Sequence, residues 1–211
     1  MIEYPRIMQV RAHDFRPRDL VAGDLVLDFV NTVTARDTEP IDWLDAYAAL
    51  LSWARLAGLP PAALAGLAAE AQAHPRRAAR ALADAKVLRE ALWELLTALS
   101  EEDTPPPGAL VRLTESWRAA AAAVVLTDLD GRLEATVTPE TSGLAYPEHY
   151  VALRAVRLLE NLPSPRLRVC GGIHCGWLFL DTSKAGRRRW CDMATCGNAA
   201  KTRRHRSVVQ P

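Results

Sequence analysis

All four cysteines of this 211-residue chain lie in its last quarter, in two pairs with the same spacing. Cys170 and Cys175 form the first pair and Cys191 and Cys196 the second, with four residues between the cysteines of each pair. Two short turns that each present two thiolates are typical of a tetrahedral structural zinc site. The sequence therefore predicts one structural Zn²⁺ on these four cysteines, in a segment too small to fold well without it.

Three other states of the four thiols are compatible with the spacing: two disulfides, an iron–sulfur cluster, or thiols without a ligand. Disulfides are disfavoured because residues 1–20 lack an apolar signal segment and carry several charges, which predicts a protein of the reducing cytoplasm. His174 lies inside the first pair as a competing ligand, but four thiolates already complete a tetrahedron. The sequence has no uninterrupted apolar stretch of about twenty residues, so we expect no membrane-spanning helix.

Charge divides the chain into two unequal parts. Residues 165–211 contain ten Lys and Arg against two Asp, a net charge of +8, whereas the remainder contains sixteen basic and twenty-three acidic residues, a net charge of −7. This asymmetry predicts two domains, at 1–162 and 163–211. Four bound thiolates and one Zn²⁺ would lower the charge of the second domain to about +6, so its expected partner is a polyanion.

The first domain is predicted to be mainly helical. Apolar residues recur at intervals of three and four in segments separated by prolines and glycines. The predicted helices are Ile41–Leu56, Pro61–Ala73, Pro75–Leu99, roughly Gly108–Ala122 and Pro147–Asn161, with a proline linker at 105–107. Between the last two helices, alternation around Asp130–Gly131 predicts a β-hairpin over Ala123–Val137. The domain has no phosphate loop, nucleophile elbow or His-Glu-x-x-His helix, so we do not expect an enzyme.

The second domain is predicted to be a treble-clef-like zinc finger. Gly171 and Gly172 allow a tight knuckle between the first two cysteines. Trp177–Leu180 is expected to form one strand of a hairpin, with Arg187–Trp190 as the returning strand, and a basic helix is expected from about Asp192. The predicted fold class is therefore α+β: a mainly helical N-terminal domain with a small β-hairpin, followed by a C-terminal treble-clef-like finger.

Three sequence motifs carry a resemblance to known families. The motifs CGWLFLD (175–181) and RWCDMATCGN (189–198) resemble the CGNR zinc finger. The motif LDFVNT (27–32) resembles the opening signature of the ABATE domain, which accompanies that finger in bacterial proteins described as stress-induced transcription regulators. The resemblance spans nearly the whole chain, and it implies a zinc site on the four cysteines and DNA binding by the finger.

One position departs from the family pattern. The family's name records an Arg after Cys-Gly-Asn, whereas this chain has Ala199 there. Any phosphate or carboxylate contact that such an arginine makes is absent here, and Lys201 or Arg203 replaces it only in part. This departure lowers the expected affinity for nucleic acid and leaves zinc ligation untouched.

Seven basic side chains are the candidate DNA contacts. They are Arg187, Arg188, Arg189, Lys201, Arg203, Arg204 and Arg206. Phosphate contacts dominate this kind of binding, so the affinity should fall steeply with salt. The alternative is that this basic face docks on the acidic N-terminal domain. Asn198 either braces the knuckle or contacts adenine, and bracing is favoured.

The motif LDFVNT supplies the N-terminal signature residues Asp28, Asn31 and Thr32. Asp28 and Asn31 lie three residues apart and would share one face of a helix. They either bind a small molecule or form hydrogen bonds to neighbouring backbone, and the second role is favoured. Because a transcription regulator needs an input and a two-fold arrangement reads two half-sites, the N-terminal domain is expected to sense a small molecule or to form a homodimer.

The function expected from these features is that of a DNA-binding transcription regulator with a structural Cys₄ finger. Two alternatives stay open. One is a zinc-stabilised protein–protein interaction adaptor, and the other is a thiol-based redox or stress sensor, because oxidation of zinc-bound thiolates releases the metal. A zinc deaminase or hydrolase is the least expected class, since such an enzyme needs a catalytic Glu beside its ligands and no Glu follows Glu160.

Overall fold

The computed structural model describes residues 8–129, 131–162 and 164–209, without the side chains of residues 129, 132, 164 and 204–209. The α-helices are Leu25–Val30 (α1), Tyr47–Leu56 (α2), Pro61–Ala73 (α3), Pro75–Ser100 (α4), Pro107–Ala122 (α5), Pro139–Ser142 (α6), Tyr146–Glu160 (α7) and Asn198–Val209 (α8). The strands are Gln9–Val10 (β1), Val33–Thr34 (β2), Ile41–Asp42 (β3), Val125–Leu129 (β4), Arg132–Thr136 (β5), Leu167–Val169 (β6) and Leu178–Leu180 (β7). Short 3₁₀ turns occur at Pro17–Asp19, Gly143–Ala145 and Ser164–Arg166, and a π-helical turn occurs at Met193–Gly197.

The long helix α4 is the centre of the helical domain, where it contacts α1, α2, α3, α5 and α7. Its apolar residues recur every three or four positions, so Leu88, Leu92, Leu95 and Leu96 form one stripe that is almost fully buried. The predicted helices at 61–73, 75–99, 108–122 and 147–161 are confirmed to within one residue. The predicted fold class is likewise confirmed. Within the described residues, the helices all lack the combination of length and apolar character needed to cross a bilayer.

The predicted helix Ile41–Leu56 is wrong in its first third. Ile41 and Asp42 form β3, which pairs in parallel with β1 and antiparallel with β2. The Asp42 carboxylate accepts a hydrogen bond from the Leu44 amide at 2.9 Å, a local bond that competes with helix formation. The helix α2 therefore begins only at Tyr47.

The hairpin of β4 and β5 is confirmed. Val125 pairs with Thr136 and Leu129 with Arg132, which leaves two residues for the turn. Of these two, residue 130 lies outside the described part of the chain, and Gly131 has a φ of +78°. The Gly131 amide donates to the Asp128 carboxylate at 2.8 Å, a bond that closes the turn.

The strand pairing inside the finger differs from the prediction. The strand β7 pairs antiparallel with β6, so that Leu180 lies opposite Leu167 and the first cysteine knuckle closes the hairpin. Within the described residues, 187–190 form no strand, because the Arg188 amide donates to the Asp181 carboxylate at 2.7 Å instead of to a neighbouring backbone.

The finger packs directly on the helical domain. Leu178 and Phe179 are fully buried and belong to the same hydrophobic cluster as Phe29 and Val30 of α1. The backbone of Leu180 also donates to the carbonyl of Ala22 at 2.8 Å. The division into domains at residue 162 stays a prediction, and the core is continuous across it.

Candidate metal centre and nucleic-acid interface

The four cysteine sulfur atoms meet at one point, where all of them lie within 4.8 Å of one another. Cys191 Sγ is 3.7 Å from the Sγ atoms of both Cys175 and Cys196. A tetrahedral ion with Zn–S bonds of about 2.3 Å places its sulfur ligands about 3.8 Å apart, so this donor set fits a single Zn²⁺. Cys170, Cys175 and Cys191 are buried and Cys196 is half-buried, which suits a structural site without an open ligand position.

The surroundings of the four sulfurs favour the thiolate form of Cys170, and they do not favour ionisation of all four cysteines. Backbone amides of Gly172 and Cys191 donate to Cys170 Sγ at 3.4 and 3.3 Å. Hydrogen bonds from Cys175 and Cys191 hold the pKa of the Cys170 thiol well below its usual range, whereas burial raises the pKa of the Cys196 thiol. Four negative sulfurs this close repel one another, so a divalent cation is the group that would keep them all ionised.

Two glycines are required by close packing at the metal centre. A Cβ atom on Gly172 would lie 2.9 Å from Cys196 Sγ, closer than side chains approach one another. Gly176 has a φ of +67°, and a Cβ there would lie 3.1 Å from the Cβ of Arg36 in the helical domain. The first glycine therefore makes room for the fourth ligand, and the second lets the knuckle contact the helical domain.

Asn31 of the N-terminal signature connects the helical domain to the finger. Its side-chain amide donates to the Leu178 carbonyl at 2.8 Å and accepts from the Leu178 amide at 3.0 Å. These two hydrogen bonds satisfy the amide and the carbonyl of Leu178 in β7, as a neighbouring strand would. Asn31 is only 2% exposed. The signature asparagine thus ties backbone, in agreement with the favoured interpretation of the sequence.

Asp28 of α1 and Thr32, which lies two residues after the end of that helix, make two further connections. Asp28 accepts from the Ala22 amide at 3.0 Å, and the carbonyl of Ala22 accepts from Leu180 in β7. Thr32 Oγ1 accepts from Arg89 Nη1 at 3.1 Å, and Arg89 is itself paired with buried Asp42 at 2.7 Å. The signature therefore links α1 to the finger and to the buried charges of α4. The Arg89–Asp42 pair was not predicted, because an arginine within a helical charge pattern normally indicates a solvent-facing side.

Two family models match the chain. The ABATE model, described as "Putative stress-induced transcription regulator", matches residues 23–161, which is well over half of the chain. The chain belongs to the ABATE family. The CGNR zinc finger model matches residues 166–207, so the four sulfurs of this finger hold one structural Zn²⁺. No curated protein matches the chain.

The candidate DNA contacts of this ABATE protein fall into two groups. Arg187, Arg189, Lys201 and Arg203 are exposed, and among the described residues no carboxylate lies within ion-pairing distance of them. Arg188 is half-buried, with its guanidinium carbon 4.8 Å from the centre of the Phe179 ring. The side chains of two further candidates, Arg204 and Arg206 in α8, lie outside the described residues.

Asp181 is a residue of the CGNR finger that sequence reasoning missed. It is 2% exposed and accepts hydrogen bonds from the hydroxyl and amide of Ser183 and from the amide of Arg188. The Ser183 hydroxyl first, and then the Arg188 amide, lower the pKa of Asp181 to about 2 despite its burial. An acidic residue after an apolar strand indicates a turn, and no sequence signal showed that this carboxylate would hold Arg188 in place.

The last helix of the CGNR finger begins at Asn198, one residue before the position where the chain departs from the family name. Asn198 Nδ2 donates to the Ala194 carbonyl at 3.2 Å, a bond that braces the junction between the π-helical turn and α8. Ala199 follows and is exposed. His174, the competing ligand, is exposed and bonds to Thr38 Oγ1 at 3.1 Å, and it is not part of the four-sulfur cluster.

Proposed function

We propose that this ABATE protein is a DNA-binding transcription regulator that acts by binding and not by catalysis. In this proposal the CGNR finger carries the DNA contacts, and the ABATE domain supplies the input as a sensor of a small molecule or as a dimer. The observation that carries the proposal is the set of exposed basic side chains around the zinc site: Arg187, Arg189, Lys201 and Arg203. A rigid surface with several unpaired cations is suited to the phosphates of a nucleic-acid backbone.

The same observation weakens the alternative in which the basic face docks on the acidic domain. Docking of that kind would pair arginines of the finger with carboxylates of the ABATE domain. The ion pair of the finger found among the described residues is internal, between Arg168 and Asp181 at 3.8 Å. The contact between finger and ABATE domain is instead made by apolar side chains and by uncharged hydrogen bonds such as the Asn31–Leu178 pair. The basic side chains are therefore free to bind a partner.

A salt series with a random pool of double-stranded DNA tests the proposal. The zinc-loaded protein should retain DNA at low salt, and the double variant Arg187→Gln, Arg189→Gln should lower the slope of log affinity against log salt by about 2. The matched control is Arg76→Gln, Arg80→Gln, which removes the same charge from exposed positions at the far end of α4. Absence of retention even at low salt would overturn the proposal in favour of a protein-interaction adaptor.

A second candidate function, a thiol-based sensor, is favoured by the exposure of Cys196. This ligand is half-buried and lines a surface cleft of about 230 Å³ together with Cys175, Cys191, Trp43 and Trp177. Hydrogen peroxide entering this cleft would oxidise two thiolates to a disulfide while it is reduced to water, and the zinc would lose two ligands. Stoichiometric zinc release by mild peroxide, followed with a colorimetric chelator, is the expected result, and unchanged zinc content would count against a sensor.

A further inference from the structure

A cleft of about 300 Å³ lies between the end of α4 and the finger. We call it the arginine cleft. Ser100 and Glu101 line it on the side of the helical domain, and Arg168, Arg188 and Arg189 line it on the side of the finger. It therefore combines three arginines from the CGNR finger with a wall supplied by the ABATE domain.

The three arginines are held in position by contacts within the finger. Arg168 Nη2 donates to the Gly186 carbonyl at 3.0 Å, and Arg188 Nε donates to the Trp190 carbonyl at 2.8 Å. The guanidinium carbon of Arg189 lies 5.3 Å from the centre of the Trp190 ring. Side chains fixed in advance lose less entropy when they bind a ligand. Among the described residues, the Nη atoms of Arg188 and Arg189 have no acceptor, so they keep donors for one.

Asp181 fixes two of these arginines from the buried side. Its carboxylate accepts from the Arg188 amide at 2.7 Å and lies 3.8 Å from Arg168 Nε. Asp181 is 2% exposed, so it holds the backbone of Arg188 and the side chain of Arg168 from inside and does not reach the open side of the cleft. A planar guanidinium group matches the oxygens of a phosphate better than it matches a small anion such as chloride.

We propose that the arginine cleft binds a phosphate group of the DNA backbone, so that the footprint of the finger extends onto the ABATE domain. This inference rests on the proposed function, and it adds Arg168 and the end of α4 to the interface. Glu101 is the acidic residue of the lining, and within the described residues it pairs with none of the three arginines. It faces the same space as the phosphate, so it weakens binding and sets the affinity of the site.

Two substitutions with opposite effects test the arginine cleft. Arg168→Gln should weaken binding of a random duplex about threefold to tenfold and reduce the salt slope by about 1. Glu101→Gln should tighten binding about twofold to fivefold at low salt, a gain that misfolding cannot produce. The control is Arg80→Gln, about 30 Å from residue 101 along α4, a separation of about three Debye lengths at 0.1 M salt. Zinc content and circular dichroism establish that each variant is folded.

The outcomes distinguish failure of the arginine-cleft proposal from failure of the proposed function on which it rests. If the wild-type protein binds duplex DNA but Arg168→Gln and Glu101→Gln both behave like Arg80→Gln, the arginine cleft is overturned and DNA binding by the finger stands. If duplex binding is absent, the proposed function fails. A thermal-shift titration with inorganic phosphate is then decisive, since saturable stabilisation that Arg168→Gln removes would assign the cleft to a free phosphate compound and overturn its assignment to the DNA backbone.

Discussion

At the scale of single residues, Gly172 is a position beside the metal ligands at which the metal centre tolerates little change. A methyl group there would lie 2.9 Å from Cys196 Sγ and 3.1 Å from Cys196 Cβ, so the fourth ligand would have to move. We expect Gly172→Ala to weaken zinc binding at least about tenfold, or about 1.4 kcal/mol, in competition with a chromogenic chelator. Gly66→Ala is the matched control, because apart from its chain neighbours and the backbone of its own helix no atom lies within 4 Å of a Cβ at that glycine. Equal zinc affinity of the two variants would contradict this account of the site.

Asp28 is the residue that should make stability depend on pH near neutrality. Burial raises its pKa to about 7 from a usual value of 3.8, against the opposing effect of the hydrogen bond from Ala22. The folded state therefore binds this proton more tightly than the unfolded chain does. The stability that the group contributes is fully present below about pH 4 and is lost as pH rises through 7.

Replacement of Asp28 by Asn keeps an acceptor for the Ala22 amide and removes the charge. Between pH 6 and pH 8.5 the wild-type protein should therefore lose about 1.4 kcal/mol of stability relative to Asp28→Asn, measured by urea unfolding at each pH. The control is Asp103→Asn, at an exposed carboxylate. Parallel pH profiles for wild type and Asp28→Asn would show that the aspartate stays ionised across this range.

The residues of the metal centre could be predicted from the sequence, and most of those that orient the arginines could not. Four cysteines at a repeated spacing allow few interpretations, because their chemistry depends on residue type alone. The role of Asp181 depends on which backbone amides lie around it after folding, and residue type says nothing about that. Asn31 is an intermediate case. The sequence indicated that its side chain hydrogen-bonds to backbone, but it did not indicate that the partner is Leu178, 147 positions further along the chain.

At the scale of elements, the pairing of Asn31 with β7 joins α1 to the finger. Asn31→Ala would leave the amide and carbonyl of Leu178 without partners in a buried place, and we expect a loss of about 2–4 kcal/mol in the free energy of unfolding. Asn161→Ala is a suitable control, because that asparagine also donates to a backbone carbonyl, at 2.8 Å, but at an exposed helix end. Similar small losses for both variants in urea unfolding would mean that the pairing does not stabilise the interface.

Long helices and the isolated hairpin could be predicted because their patterns are local. The stripe of α4 and the turn before Gly131 need no information from elsewhere in the chain. The strands β3 and β6 each have two or three residues, and their partners are set by tertiary contacts. Trp43 and Leu44 continued the apolar pattern of the following helix, so periodicity alone placed the start of that helix at Ile41. A two-residue strand is too short to show alternation.

At the scale of the whole molecule, the opposite charges of the two parts suggested two separate units, and the folded chain joins them through a shared apolar core. Cys170, Cys175 and Cys191 belong to the same buried cluster as Val30 and Leu96. Composition could not show this continuity, because charge patterns describe surfaces and the junction is formed by buried side chains. The stability of the helical domain is therefore expected to depend on the finger.

Removal of the zinc ion tests this dependence. A strong chelator should unfold the finger, whose small core cannot compensate for the lost metal–ligand energy of about 10 kcal/mol or more. Because β7 then withdraws Leu178 from Asn31 and Phe179 from the common core, hydrogen exchange should accelerate in α1 as well as in β6 and β7. The helix α3, which makes its main contacts with α2, α4 and α6, is the internal reference. Unchanged protection of α1 after complete loss of zinc would mean that the two parts fold independently, and restoration of protection by added Zn²⁺ would exclude irreversible damage by the chelator.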